Sequence, residues 1–148
     1  MRETAFFAAI GIAGGAIANA LGGWDYALQA LVSFMTIDYV TGWIAAAVFK
    51  KSKKSESGAL DSSSGYKGIL KKCMMLLMVI IANQLDVIIG WNFLRYAVII
   101  ALISNELVSV IENAGLMGVP IPGALRQAIG ILNKKEGIEN KDEKNKKR

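Results

Sequence analysis

Two carboxylates stand where carboxylates are costly. Asp38 and Glu106 each lie near the middle of a long apolar run, and an aspartate at the centre of a membrane helix costs ~2.5 to 3.5 kcal/mol against insertion. Such a group is protonated through desolvation, hydrogen-bonded to a neighbouring helix, or exposed to a wet interior. On a helix, Asp38, Thr41, Gly42 and Ala45 share one side, so the carboxylate sits on a small-residue face that another helix can approach closely. Further along, Asn105, Glu106, Ser109, Glu112 and Asn113 form a polar wedge opposite Ile103, Leu107 and Val110. The chemistry open to these residues is helix packing through polar contacts, or the lining of a gated, water-filled path. Their types and spacing leave both readings standing.

Other chemistry is absent. The chain has no histidine and a single cysteine, Cys73, which removes the common zinc, haem and imidazole-base constellations and any internal disulfide. Cys73 reads as a small apolar residue. No nucleophile-base pair, metal cluster or phosphate-binding loop is present, so no catalytic, cofactor or metal residue is assigned and a non-enzyme is expected.

The elements that carry these residues are membrane helices. Of 148 residues, 53% are apolar and 20% charged, and the charges crowd into 50–72 and the tail after Asn133. The apolar runs between them approach the ~20 residues that cross a ~30 Å hydrocarbon layer. The fold class is therefore all-α and polytopic, with four spans expected at 5–22, 27–49, 69–90 and 93–113. The first, rich in alanine and glycine, is the weakest, and a three-span alternative omits it. A cleaved signal peptide is a rival reading of that segment, but its single basic residue, Arg2, is opposed by Glu3, and further spans follow that would direct insertion.

Lysine sets the orientation. The net charge of +5 lies beside the hydrophobic spans instead of in a stripe with interleaved aromatics, so the partner expected is a bilayer surface with anionic lipid, and not nucleic acid. Lys50, Lys51, Lys53, Lys54, Lys67, Lys71 and Lys72 in the 50–68 connector and its continuation, and the basic tail of 134–148, should stay cytoplasmic. The turns holding Trp24 and Trp91 then lie outside. Gly118-Val119-Pro120-Ile121-Pro122 must break the last helix. Beyond it, 124–132 suits a short helix in the interface or on the bundle. Residues 134–148 and the serine-rich centre of the connector, 52–65, have too little apolar surface to fold. One transmembrane domain, 1–133, is expected, followed by the charged tail.

Aligning the third and fourth spans as an antiparallel hairpin pairs Asp86 with Arg95 and brings Glu112 level with Lys71 and Lys72. Asp38 and Glu106 are left without an obvious cation. Gly11 and Gly15 form a small-residue pair suited to helix packing. The run Met74, Met75, Leu76, Leu77, Met78 reads as lipid-facing or packing surface.

Three stretches resemble the toxin-secretion and phage-lysis holin family of Gram-positive bacteria and their phages. They are Asp38-Tyr39-Val40-Thr41-Gly42; Ser63-Ser64-Gly65-Tyr66-Lys67-Gly68-Ile69-Leu70-Lys71-Lys72; and Asn105-Glu106-Leu107-Val108-Ser109-Val110-Ile111-Glu112-Asn113-Ala114-Gly115 leading into the Pro-x-Pro exit. The likeness covers most of 37–125 and is weakest in the first span and the tail. It implies a non-catalytic, lesion-forming homo-oligomer of the bacterial cytoplasmic membrane. Such a protein lets an endolysin reach the cell wall, or a large toxin leave, without forming a stable complex with either. Rivals from other classes are a small proton-coupled transporter and an accessory membrane subunit. Against transport stand the absence of an acidic residue in the first span, the lack of an aromatic-lined midplane pocket, and the charged tail.

Overall fold

The computed structural model describes residues 2–50, 62–125 and 127. Four helices run through them: α1 (Arg2–Ala20), α2 (Tyr26–Ala47), α3 (Ser62–Ile89) and α4 (Leu94–Leu116). Each is long and apolar enough to cross a membrane, as the expected four spans require. The expected interfacial helix, 124–132, lies mostly outside the described residues, of which 123–125 and 127 are helical. The tail, 134–148, lies outside them as well.

The largest departure from expectation is the start of α3, which begins at Ser62 instead of 69. Residues 62–65, expected to be unstructured, are helical because this end of α3 packs on α2. A Cβ at Gly65 would come 3.8 Å from the Tyr39 hydroxyl, and one at Gly68 would come 3.9 Å from the Tyr39 ring. The 28 residues of α3 therefore reach about 42 Å at ~1.5 Å per residue, longer than the hydrocarbon layer. Residues 52–61 of the expected mobile segment lie outside the described residues.

Tight turns join α1 to α2 and α3 to α4. Gly22 adopts φ +84, which favours glycine, and a Cβ there would lie 2.4 Å from Asn83 Oδ1 and 2.6 Å from Arg95 Nε. At the other turn Gly90 adopts φ +77, and the amides of Gly90 and Trp91 both donate to the Asp86 carbonyl at 2.9 Å. Trp24 and Trp91 flank these turns, both exposed.

Cross-helix contacts fix the directions. Asp25 meets Arg95 and Asp38 meets Asn113, so α2 and α4 run parallel. Lys72 meets both Asp38 and Glu106, which sets α3 antiparallel to the pair. Buried positions recur at steps of three, four and seven residues: Leu28, Leu31, Met35, Asp38 and Ala45 on α2; Met75, Val79, Ala82 and Asp86 on α3; Arg95, Ile99, Glu106 and Asn113 on α4. That spacing keeps one face of each helix turned to the others. Within the methionine run only Met75 is buried, while Met74, Leu77 and Met78 face outward.

The first helix stands apart. No residue of α1 is buried, and its tie to the bundle is at its end, where Asn83 Nδ2 donates to the Ala20 carbonyl at 3.2 Å. Gly11 and Gly15, expected to seat a neighbouring helix, have nothing within 4 Å of a Cβ built on them. Within this chain they pack on nothing, and the large side chains of α1, Phe6, Phe7, Ile10, Ile12 and Ile17, are exposed as well.

Candidate functional site

The inward faces carry an apolar stretch with ionisable residues on either side of it, so the bundle has three layers. The middle layer is dry: Leu28, Leu31, Val79 and Ile99 are fully buried, with Met35 and Met75 beside them. Two polar layers flank it.

The layer nearer the connector holds Asp38, Lys72, Glu106 and Asn113. Lys72 reaches from α3 between α2 and α4, placing its ammonium 2.9 Å from Asp38 Oδ2 and in contact with Glu106 Oε2. Asn113 Nδ2 donates to Asp38 Oδ1 at 3.1 Å and lies within reach of the Asp38 carbonyl and the Thr41 hydroxyl. Thr41 in turn donates to the Ile37 carbonyl at 2.8 Å. Asp38 and Glu106 are 4% and 2% exposed, so their charge is balanced by side chains and not by solvent. One ammonium serves two carboxylates from two helices, which makes Lys72 the shared counter-ion that holds α2 and α4 in one register. A cavity of about 310 Å³, lined by Ser64, Lys67 and Ser109 among others, opens beside the cluster.

The sequence left Asp38 and Glu106 without a cation and set Lys72 level with Glu112. The structure supplies Lys72 to both buried carboxylates, because a lysine stem spans a full helical turn and a register argument treats it as a point. Of the polar wedge, Glu106 and Asn113 face inward, Ser109 is half-buried, and Asn105 and Glu112 lie on an exposed row. Gly42 is half-buried on the inward side of α2.

The layer at the turns centres on Arg95. Its guanidinium donates from Nη1 to Asp25 Oδ2 at 2.6 Å, from Nε to the Leu21 carbonyl at 2.5 Å and from Nη2 to the Gly23 carbonyl at 3.2 Å. Tyr96 adds its hydroxyl to Asp25 at 3.0 Å. The expected Asp86–Arg95 ion pair is corrected here. The Asp86 carboxylate accepts from the backbone amides of Leu94 and Arg95, at 3.1 and 2.8 Å. It thus caps the start of α4 from the neighbouring helix, where Phe93 offers no capping side chain. Hairpin alignment brought the two residues together correctly but misassigned which atoms meet. Asp25 was missed, although an aspartate directly before an apolar helical run is a helix-start signal; its carboxylate accepts from the Leu28 amide at 2.9 Å.

Asp25 lies in the turn, outside the helices. The Arg95 guanidinium holds its carboxyl down at about 2, with the Leu28 amide and Tyr96 hydroxyl assisting against partial burial. A carboxyl whose folded pKa is depressed contributes stability above its ordinary value of ~3.9 and loses it as pH falls through the folded value. The stability gap between the parent and Asp25→Asn in detergent should therefore hold from neutral pH to about 4 and close between about 4 and 2. Thermal unfolding across that range measures it; a gap that closes above pH 5 would contradict the assignment.

Nothing in either layer forms a metal site: no group of three or more His, Cys, Asp or Glu is placed to hold an ion among the described residues. The arrangement can pack helices and hold charged side chains within an apolar bundle. Comparison with known proteins agrees in kind. The bacteriophage holin family matches residues 15–134. An uncharacterised protein of Listeria innocua is 40% identical, over 88% of this chain and 89% of its own. An uncharacterised 14.9 kDa protein of Clostridium perfringens is 38% identical, over 78% and 83%. A protein of Bacillus phage phi105, named a probable holin, is 32% identical over 71% of this chain and 73% of its own. No solved structure matches.

Proposed function

This chain belongs to the bacteriophage holin family, and on that premise we propose that it acts as a holin. It oligomerises in the bacterial cytoplasmic membrane and opens lesions that release an endolysin for host lysis or let a large toxin leave. Its basic connector and tail face the cytoplasm, held to anionic lipid by about 1 kcal/mol per lysine near the surface.

The observation that carries this reading is the Asp38–Lys72–Glu106 cluster. A stable packing core would be as well served by apolar residues of similar volume, since a buried ion pair rarely stabilises more than they do. Polar faces that are satisfied inside the monomer yet able to face water suit a protein with two assemblies. In the first, α2 and α4 present Asp38 and Glu106 to Lys72. In the second, those faces separate and line a water-filled opening. One charge moved through the full membrane potential is worth ~2.3 kcal/mol per 100 mV, so loss of potential can bias the exchange if part of that field falls on the cluster.

The test is induction of this protein alone in a bacterium carrying a cytoplasmic endolysin. Abrupt release of the endolysin, with lysis timing shifted by Asp38→Asn and Glu106→Gln, is the expected result. Movement of small cations along a gradient without release of protein would indicate a transporter. Absence of any permeabilisation would indicate an accessory subunit.

A further inference from the structure

Asn105 sits at the midpoint of α4, Leu94–Leu116, with its side chain exposed. Its amide makes no hydrogen bond among the described residues. The neighbouring Ser104 gives its hydroxyl to the Ile100 carbonyl at 2.9 Å, so a polar group on this helix can be satisfied locally, and Asn105 is not. Half-way through a hydrocarbon layer there is no water to take two N–H donors and a carbonyl. A partner from outside the chain has to supply them.

The face around Asn105 is shaped for such a partner. Ala97, Ala101, Asn105, Val108 and Glu112 follow at steps of four and three and fall within about 80° of one another on the helix. Ala97 and Ala101 are exposed, and small side chains let a second helix backbone come close. The α1 helix also has an uncovered surface, but its central stretch, 5–18, has no polar side chain to offer an amide. Lipid tails offer none either. Copies of one chain inserted in the same sense are related by an axis along the membrane normal, which brings each residue opposite itself at equal depth. An amide is donor and acceptor at once, so Asn105 complements Asn105.

We propose that two copies of this chain pair through this face of α4, with Asn105 hydrogen-bonded to Asn105 across the pair. The pairing is the smallest step in the assembly that lesion formation requires, and in that sense rests on the holin reading. A buried asparagine at one step of a heptad-like seam also fixes register and partner number, at some cost in stability.

Disulfide trapping in native membranes tests it. In a Cys73→Ser background, Ala101→Cys should yield covalent dimers on oxidation several-fold more than Ile81→Cys, which lies on the exposed side of α3. Adding Asn105→Leu should cut that yield several-fold, and Asn105→Gln should retain most of it. Recovery of each variant in the membrane fraction, with the parent's unfolding temperature in detergent, separates loss of pairing from loss of folding. Equal trapping at both positions, or trapping at 101 unaffected by Asn105→Leu, overturns the interface. So does Ala101→Cys joining only to Gly11→Cys of a co-expressed copy, which would make α1 the occupant. Endolysin release measured in the same cells keeps the two readings apart. Release without trapping at 101 overturns the pairing alone, and trapping without release overturns lesion formation alone.

Discussion

Lys72→Met will lower the unfolding free energy in detergent by about 3–5 kcal/mol, the usual effect of removing one partner from a buried ion pair. Methionine keeps the length and apolar stem of lysine, so packing between α2 and α4 is largely conserved and the loss falls on charge. Asp38 and Glu106 would then share a buried site at 4% and 2% exposure without the ammonium that lies between them. The rescue separates charge from shape. Asp38→Asn and Glu106→Gln, added together to Lys72→Met, remove both stranded charges and should recover most of the lost stability. Thermal unfolding of the four combinations in one detergent measures it. A Lys72→Met protein as stable as the parent would show that the cluster does not hold the helices in register. In cells, the stranded carboxylates favour the assembly in which their faces meet water, so lysis should come earlier wherever the variant still inserts.

The four helices were legible because length and hydropathy set them, and a bilayer permits few alternatives. The inward faces were legible in part. Asp38, Glu106 and Asn113 stood out because polar groups in a lipid-length run must turn inward, and they do. What did not follow from the sequence was which partner each would find. A helix beginning at 69 would leave Lys72 at the membrane surface, whereas α3 begins at Ser62 and Lys72 reaches inside the bundle. Asp25 was read as part of a turn, since nothing in an isolated loop residue reveals a guanidinium 70 positions away in the chain. The solitary placement of α1 has a compositional cause. The helix is apolar all round, with its polar side chains, Arg2, Glu3, Thr4 and Asn19, kept to its ends, so no face of it is chosen over another.

Arg95→Lys will cost roughly 2–3 kcal/mol and Arg95→Leu about 3–5, because only a guanidinium can serve the three partners it holds. Its fork meets Asp25, the Leu21 carbonyl and the Gly23 carbonyl together. An ammonium at the same position keeps the charge but satisfies only part of this set, leaving turn carbonyls to water. The damage should be local: cysteine placed at Trp24 in a Cys73→Ser background should react faster with a water-soluble maleimide in Arg95→Lys than with Arg95 present. The clearest readout is the double variant with Lys72→Met. Asp25 and Asp38 are separated along α2 by about 20 Å at ~1.5 Å per residue, with Leu28, Leu31, Val79 and Ile99 packed between them. Sites that far apart with no shared partner usually add to within about 0.5 kcal/mol. Additive losses would mean that the connector-side cluster can open while the turn layer stays tied, making the dry layer a barrier between two independent locks. A combined loss well short of the sum would mean that breaking one layer already releases the other, and that α2 and α4 part along their whole length.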